Sequence, residues 1–551
     1  MKTLKIYIVS FMLLFTSLVG YSQNWQWASQ VGSAGQDASS TLIADKYGNS
    51  YFAGSFQGSN CYFQTDTLSM CGAGDFFLVK YDNTGNELWI KQFGGCTSNT
   101  EGAGGLCYDS TNNFIYMTGF FAGTMTFGCT WLSSSNRSFY LAKFDLNGNC
   151  IWAKQSTGAG VSSASGVALD KDGNLYVCGT TADSATFDTY TIPRGGFLAK
   201  YDANGNCLWA QNKFRYVNNF MPSELTPQAI NIVDSTIVIS GTVGNDTIIV
   251  DTITIIHNGI NAAFISAFDM VGDVKWLKLA GGGGNSGGGF DFSVDKNGNS
   301  YTCGTFSGTG TFDTIVLTNP MNDDAFIAKY NIFGELQWVK QLNASGGAWG
   351  KNLSANIEGV SYMTGYFSGT ANFGTYTVTA STTQDMFVAR YDSNGVCLGV
   401  RNFGKAQGSA VCTNNDNEYW VAGIFLSPTV TIGNTTFNNY TTSGYPSDLF
   451  VAKGDAPIGI ETYQERKTAN ALHIYANPNK GTCNITIPDE LLNEQNLVLT
   501  IYDINGKIIQ QQQVQIEQEK IKINLEAEAK GIYNVTLGNK MKMYNGKIVF
   551  E

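Results

Sequence analysis

The chain has 551 residues, of which 63 are glycine and 9 proline, with 13% aromatic and 14% charged residues. This length allows more than one domain, and the mixture excludes a disordered chain, which carries more charge and fewer rings; it points to a turn-rich β protein. Of the net charge of −11, Lys2 and Lys5 account for +2 and the stretch from Ala456 (ten basic, eleven acidic residues) for −1, so Gln23–Asp455 carries −12 and disfavours nucleic acid or an anionic membrane as partner.

The first element is an export signal. Lys2 and Lys5 precede an apolar run, Ile6 to Val19, which is too short for an ordinary membrane span. Small residues Gly20 and Ser22 place cleavage near Ser22/Gln23, giving a signal peptide over 1–22. No cysteine follows to carry a lipid anchor, and no later apolar run reaches membrane length. The expected destination is the periplasm, then the cell surface or the extracellular medium.

From Gln23 to Asp455 the chain repeats itself. One marker is an aromatic-aliphatic segment ending in Lys-Tyr-Asp or its variants, starting at Phe77, Tyr140, Phe197, Phe264, Phe326, Phe387 and Phe450. A second is a tryptophan strand, at Trp27, Trp89, Trp152, Trp209, Trp276 and Trp338, with Gly399 in the seventh place. A third is a strand ending in glycine, at Gly54, Gly119, Gly179, Gly241, Gly304, Gly365 and Gly423. Each unit reads as four strands. In the third, "GVALD", "LYVCGT", "FLAKYD" and "CLWAQ" are joined by the turns "KDGN" and "ANGN" and by a longer loop containing "TFDTYTI". Such units repeated radially make a β-propeller, and seven copies give seven blades; a linear solenoid is the alternative. The last unit lacks a tryptophan strand while the mature chain begins with a spare one, "NWQWASQ". Trp25–Gln30 is therefore expected beside Phe450–Lys453, closing the ring and removing a sheet edge. These repeats resemble the secreted bacterial β-propeller repeats of the SBBP type, which implies the fold and little about activity.

Several features invite chemistry. The loops "DKYGN", "DKDGN" and "DKNGN", starting at Asp45, Asp170 and Asp295, lack the twelve-residue frame and terminal Glu of an EF-hand and read as turns. "GGGGNSGGG", from Gly281, lacks the Lys-Ser/Thr of a phosphate loop and reads as a link between units. With only His257 and His473 in the chain, His-based catalysis and a Cys/His zinc site find no support, so no catalytic, cofactor or metal residues are assigned. Cys150, Cys207 and Cys397 share one repeat position and Cys178 and Cys303 another, which reads as small core residues. Cys61 and Cys71, flanking a short loop, are the pair best placed for a disulfide.

The irregular loop Gln211–Gln228 offers Phe214, Arg215, Tyr216 and Phe220 for stacking on sugar rings or a partner, and Trp131 and Trp349 are assigned to other loops of that kind. The same aromatics could instead pack the loop itself. The preferred function is a non-catalytic propeller that binds a glycan or surface protein, in adhesion or as a scaffold. The alternative is a secreted polysaccharide hydrolase using carboxylates on the loop face.

After a linker, 456–472, the repeat ends. Residues 473–551 alternate apolar residues between Gly and Asn turns, as a small β-sandwich does. "IYANPNKGTCNI", "IYDINGKII", "KGIYNVTL" and "GKIVFE", in that order, resemble the type A sorting domain of the type IX secretion system. The matching residues are Tyr475, Asn477, Pro478, Gly481, Tyr502, Asp503, Gly506, Lys507, Gly531, Tyr533 and Lys547, with Ala476 and Cys483 departing from the pattern. The resemblance implies recognition by the type IX machinery and passage through the outer membrane; an ordinary structural or carbohydrate-binding sandwich is the other reading.

Overall fold

The computed structural model describes residues 25–95, 101–158, 160–216, 225–281, 288–440, 447–454, 472–475, 479–488, 491, 497–503, 507–514, 520–539 and 543–550. The chain divides into two compact units, Met1–Ile460 and Glu461–Glu551. The expected signal peptide lies outside the described residues, as does all of the expected linker except Leu472.

In the first unit, strands pair antiparallel in fours. Sheet one is Asp37–Ala44, Ser50–Phe56, Asp75–Tyr81 and Glu87–Phe93. Sheet two is Gly102–Asp109, Phe114–Thr126, Trp131–Asp145 and Cys150–Gln155. Sheet three is Ser162–Leu169, Leu175–Thr181, Gly195–Tyr201 and Cys207–Tyr216. Sheet four is Leu225–Val233, Thr236–Val250, Ile253–Phe268 and Val274–Gly281. Sheet five is Gly288–Val294, Ser300–Phe312, Ile315–Tyr330 and Leu336–Ala344. Sheet six is Ala348–Ala355, Ser361–Phe367, Asp385–Tyr391 and Cys397–Gly404. Sheet seven takes Ala406–Thr413, Tyr419–Phe425 and Asp448–Gly454 from one end of the repeat and Trp25–Ser33 from the other. In that last pairing Trp27 lies opposite Lys453 and Gln30 opposite Phe450. The first strand of each sheet touches the first strand of the next, and Ala406–Thr413 touches Asp37–Ala44.

The recurring glycine has a steric cause. Every first strand carries a β-bulge, and the residue just before the bulge lies opposite that glycine: Ser39 faces Gly54, Ala164 faces Gly179, Gly350 faces Gly365. A Cβ on Gly365 would sit 1.9 Å from the Trp349 carbonyl oxygen and 3.1 Å from the Phe387 ring. The bulge and the aromatic of the third strand leave room for hydrogen alone.

The longer loops between second and third strands correct the sequence reading. "TFDTYTI" is a hairpin: Ala185–Phe187 pairs with Tyr190–Ile192, Asp188 turns at φ 52°, and its carboxylate accepts the Cys207 N–H at 2.6 Å. Equivalent hairpins reach the fourth strand of the preceding sheet, pairing Gly32 with Tyr62, Phe214 with Val250, Ala280 with Phe312 and Asn343 with Asn372. They cover edges that would otherwise expose unpaired backbone.

The cysteines also differ from expectation. Cys61 is a buried free thiol and Cys71 is disulfide-bonded elsewhere, so those two do not pair. Cys150 bonds to Cys129, because the long hairpin of sheet two folds back and brings the two Cα atoms within 5.4 Å. Cys178, Cys303 and Cys397 are buried free thiols, and Cys207 is a half-buried one.

The second unit packs two sheets on one core. His473–Tyr475, Thr482–Thr486 and Lys520–Asn524 form one sheet. Ile508–Val514, Leu497–Tyr502, Gly531–Gly538 and Met543–Phe550 form the other, and Ile485, Leu499, Ile501, Ile523, Val535 and Ile548 interdigitate between them.

Candidate functional site

Second strands end, third strands begin, fourth strands end and first strands begin on the same edge of every sheet; this edge is called here the loop face. Its chemistry is built on a repeated pair. Asp75, Asp385 and Asp448 are buried at the start of the third strand, and Asp324 is buried at the equivalent register inside the longer third strand of sheet five. Each accepts a side-chain amide from the fourth strand: Gln92 at 2.5 Å, Gln341 at 2.6 Å, Asn402 at 3.0 Å and Gln30 at 2.6 Å. The glutamine three residues after Trp27, Trp89 and Trp338 thus has a structural task.

At two junctions a second carboxyl joins the pair. Asp37 starts sheet one near Asp448, and Glu101 stands just before sheet two near Asp75. Burial pushes the Asp37 carboxyl up to about 7, and the Asp448 charge adds to it; Ser33 holds Asp37 through its hydroxyl at 2.6 Å and its backbone N–H at 2.7 Å. Burial raises Asp448 to about 6 and, with the charge of Asp75, Glu101 to about 8.

Trp349 lies on the same face. It is not in a loop but in the first strand of sheet six. Its ring stacks on Tyr366 with centroids 4.9 Å apart, and its Nε1 donates to Asp323 at 2.9 Å. Lys351 stands 5.7 Å from the Tyr366 ring, and burial lowers its pKa.

A cavity of about 490 Å³ opens between sheets six and seven, lined by Thr382, Thr383, Gln384, Lys405, Ala406, Gln407, Leu426, Ser427 and Pro428. Two hydrogen bonds from the Lys405 backbone N–H, to the Gln384 carbonyl (2.9 Å) and the Thr382 hydroxyl (3.1 Å), fix its rim. Gln407 donates to the Gln384 amide oxygen at 3.0 Å.

The remaining candidates separate. Phe214 is not a surface residue: the fourth strand of sheet three runs on to Tyr216, and the Phe214 ring is fully buried against Phe264 and Phe268. Arg215 is exposed; the side chain of Tyr216 and all of Phe220 lie outside the described residues. Trp131, 70% exposed, opens the third strand of sheet two opposite Thr126. The "DKxGN" loops are closed turns, in which Asp45 accepts the Tyr47 and Asn49 N–H groups, the Asn49 side chain and the Tyr51 hydroxyl. Among the described residues no group of three or more His, Cys, Asp or Glu is placed to hold a metal.

In the second unit, Tyr475 ends a strand with Lys520 5.4 Å from its ring, and Tyr502 ends another. Asp503 and Lys507 close a turn through the Lys507 N–H, 2.9 Å from the Asp503 carboxylate. Gly481 turns at φ 109°; Gly531 and buried Tyr533 open a strand, and Lys547 pairs with Asn534. Asn477, Pro478 and Gly506 lie outside the described residues. Sequence reasoning missed Asn479. Its N–H and Nδ2 both donate to the Val549 carbonyl (2.8 and 3.0 Å), and its Oδ1 accepts from Gly481 at 2.9 Å. The only signal was its place two residues before a turn glycine.

Comparison with known proteins follows the same division. Residues 473–551 match the profile of the secretion system C-terminal sorting domain, and residues 151–183 match a beta-propeller repeat. An uncharacterized WD repeat-containing protein of Acanthamoeba polyphaga mimivirus is 27% identical over 129 residues, 22% of this chain and 9% of that protein. Among solved structures, the Dos1 propeller aligns with 10% identity over 78% of this chain and 95% of its own, at a TM-score of 0.35. A Bacteroides thetaiotaomicron protein of unknown function aligns with 9% identity over 75% and 98%, at 0.30. A GH43 endo-arabinanase from Bacillus licheniformis aligns with 11% identity over 57% and 97%, at 0.24. Scores this low carry no argument about activity. No helix among the described residues is long and apolar enough to cross a membrane. The sorting domain over 473–551 marks this all-β protein with propeller repeats as exported, either displayed at the cell surface or secreted.

Proposed function

We propose that the protein is a seven-bladed propeller, residues 23–455, closed by its N-terminal strand and led to the periplasm by a signal peptide over 1–22. A linker over 456–472 joins it to a sorting domain that the type IX machinery reads. Support for the ring comes from the contacts between successive first strands, with Ala406–Thr413 against Asp37–Ala44, and from the pairing of Trp25–Ser33 with Asp448–Gly454. On this reading the propeller is cargo that binds a glycan or a surface protein without transforming it.

One observation carries the binding role: the cavity on the loop face has no carboxylate in its lining. Acid–base hydrolysis of a glycoside needs a pair of them, whereas hydroxyls, amides and an ammonium suffice to hold a ligand. The test is a glycan and polysaccharide screen of the full chain, with reducing-sugar release measured alongside. Binding without release is expected; release abolished by Glu101→Gln would replace this reading with the hydrolase. That second reading has one specific support, the raised acids Glu101 and Asp75 at one junction, but Glu101 is 5% exposed, too enclosed for a polymer to reach.

A further inference from the structure

We propose that the cavity between sheets six and seven is a subsite for a carboxylate-bearing sugar, a uronic acid residue of an acidic polysaccharide, with Lys405 as its anion partner. The proposal rests on the binder reading above and names its ligand class.

Lys405 breaks a local rule. Sheet six ends at Gly404 and sheet seven begins at Ala406, so one residue makes the whole connection. It turns at φ 65°. The other non-glycine residues at positive φ among those described are Asn or Asp, Asn113 and Asp188 for example, types that tolerate this conformation. A lysine there does nothing for the turn that asparagine would not do better. Local rules give way in this manner where function claims the position. What lysine adds is an exposed ammonium at the rim of a concavity, in a region whose net charge is −12.

The rest of the lining fits the same ligand. The Gln384 and Gln407 amides, aligned by their 3.0 Å bond, and the Thr383 hydroxyl suit the ring hydroxyls of a sugar. Leu426, 45% exposed, and Pro428 offer an apolar wall for the C–H face of the ring. No Asp or Glu is in the lining itself; the Asp385 carboxylate behind it is buried and accepts from the Thr382 hydroxyl at 3.1 Å and from the Thr382 N–H at 3.3 Å. A volume of about 490 Å³ is in the range of small-molecule sites, roughly 300–1,000 Å³.

The test is calorimetric titration of the full chain with oligogalacturonate and, in parallel, with a neutral galactan oligosaccharide of equal length. Oligogalacturonate should bind at least tenfold more tightly, and more weakly as salt rises. Lys405→Asn, which suits the positive φ, should cost tenfold or more, whereas Lys405→Arg should stay within threefold. Gln407→Leu should weaken both sugars without touching the backbone at 405, and it serves as the check if Lys405→Asn fails to fold. Equal binding of the two sugars, or full affinity in Lys405→Asn, overturns the uronate subsite and leaves the binder reading standing. Absence of oligogalacturonate binding overturns the subsite as well. The binder reading itself falls only if no glycan or protein in the wider screen is retained.

Discussion

The Trp27 indole donates its N–H to the carbonyl of Asn83, 3.1 Å away and 56 residues on, in the turn between the last two strands of sheet one. The contact recurs around the unit. Trp89 reaches Leu146, Trp152 reaches Ala203, Trp276 reaches Ile332 and Trp338 reaches Ser393, at 2.9 to 3.3 Å. In each case the turn glycine gives the ring room: a Cβ on Gly85 would lie 2.6 Å from the Trp27 ring, one on Gly334 2.6 Å from Trp276. Trp27→Ala should therefore destabilise the first unit by about 2 kcal/mol through lost packing, and Trp27→Phe by about 1 kcal/mol through the lost hydrogen bond. Urea denaturation of both variants measures the two parts.

Gly399 stands where a seventh tryptophan would. The third strand of sheet seven is described as far as Gly454, and the strand paired beside it is Trp25–Ser33 from the other end of the repeat. Trp25 packs there from the N-terminal strand, its ring 5.8 Å from Phe403 and 5.4 Å from the Arg401 guanidinium. The repeat, its strand order and the pairing of "NWQWASQ" were legible because period-two alternation and turn glycines recur at fixed spacing. The hairpins were not, since three-residue strands such as Ala185–Phe187 are too short to show a period. Phe214 was misplaced for a related reason: past Trp209 the strand continues with no turn signal to mark its end, so a core ring read as a loop ring. The cavity at Lys405 left no motif, because its lining comes from three separate connections.

Stability should fall as pH rises from 5 to 9. The folded protein holds protons on Asp448 (about 6), Asp37 (about 7) and Glu101 (about 8), all raised first by burial. The unfolded chain releases them near the ordinary carboxylate value of roughly 4. A group raised in this way contributes fully below its unfolded value, and the contribution is lost as pH passes through the folded one. Thermal melts across that range should show a declining Tm. Glu101→Gln, which keeps the shape and removes the titration, should flatten the decline above pH 7; an unchanged slope would show that Glu101 titrates normally.

The Cys129–Cys150 bridge ties the long hairpin of sheet two to its fourth strand across 21 residues of chain. Closing a loop of that size restricts the unfolded state by roughly 3 kcal/mol. The double variant Cys129→Ser/Cys150→Ser should lower the denaturation midpoint accordingly. Reductant should act on the parent protein in the same direction and have a smaller effect on the double variant.

Removal of 473–551 should leave the protein in the periplasm, because the residues that match the sorting domain lie in that segment. A subtler change should do the same in part. Asn479 is 5% exposed and joins the turn at Gly481 to the Val549 carbonyl on the strand that ends the domain. Asn479→Ala removes the acceptor for the Gly481 N–H and one donor to Val549, at a cost of about 1–2 kcal/mol. The turn that presents Gly481 then loosens while Tyr502, Asp503 and Lys507 stay in place. Fractionation of cells expressing this variant should show a periplasmic pool absent from the parent. If the pool is absent while the isolated variant melts lower, recognition depends on Tyr502, Asp503 and Lys507 and not on the Asn479–Gly481 turn.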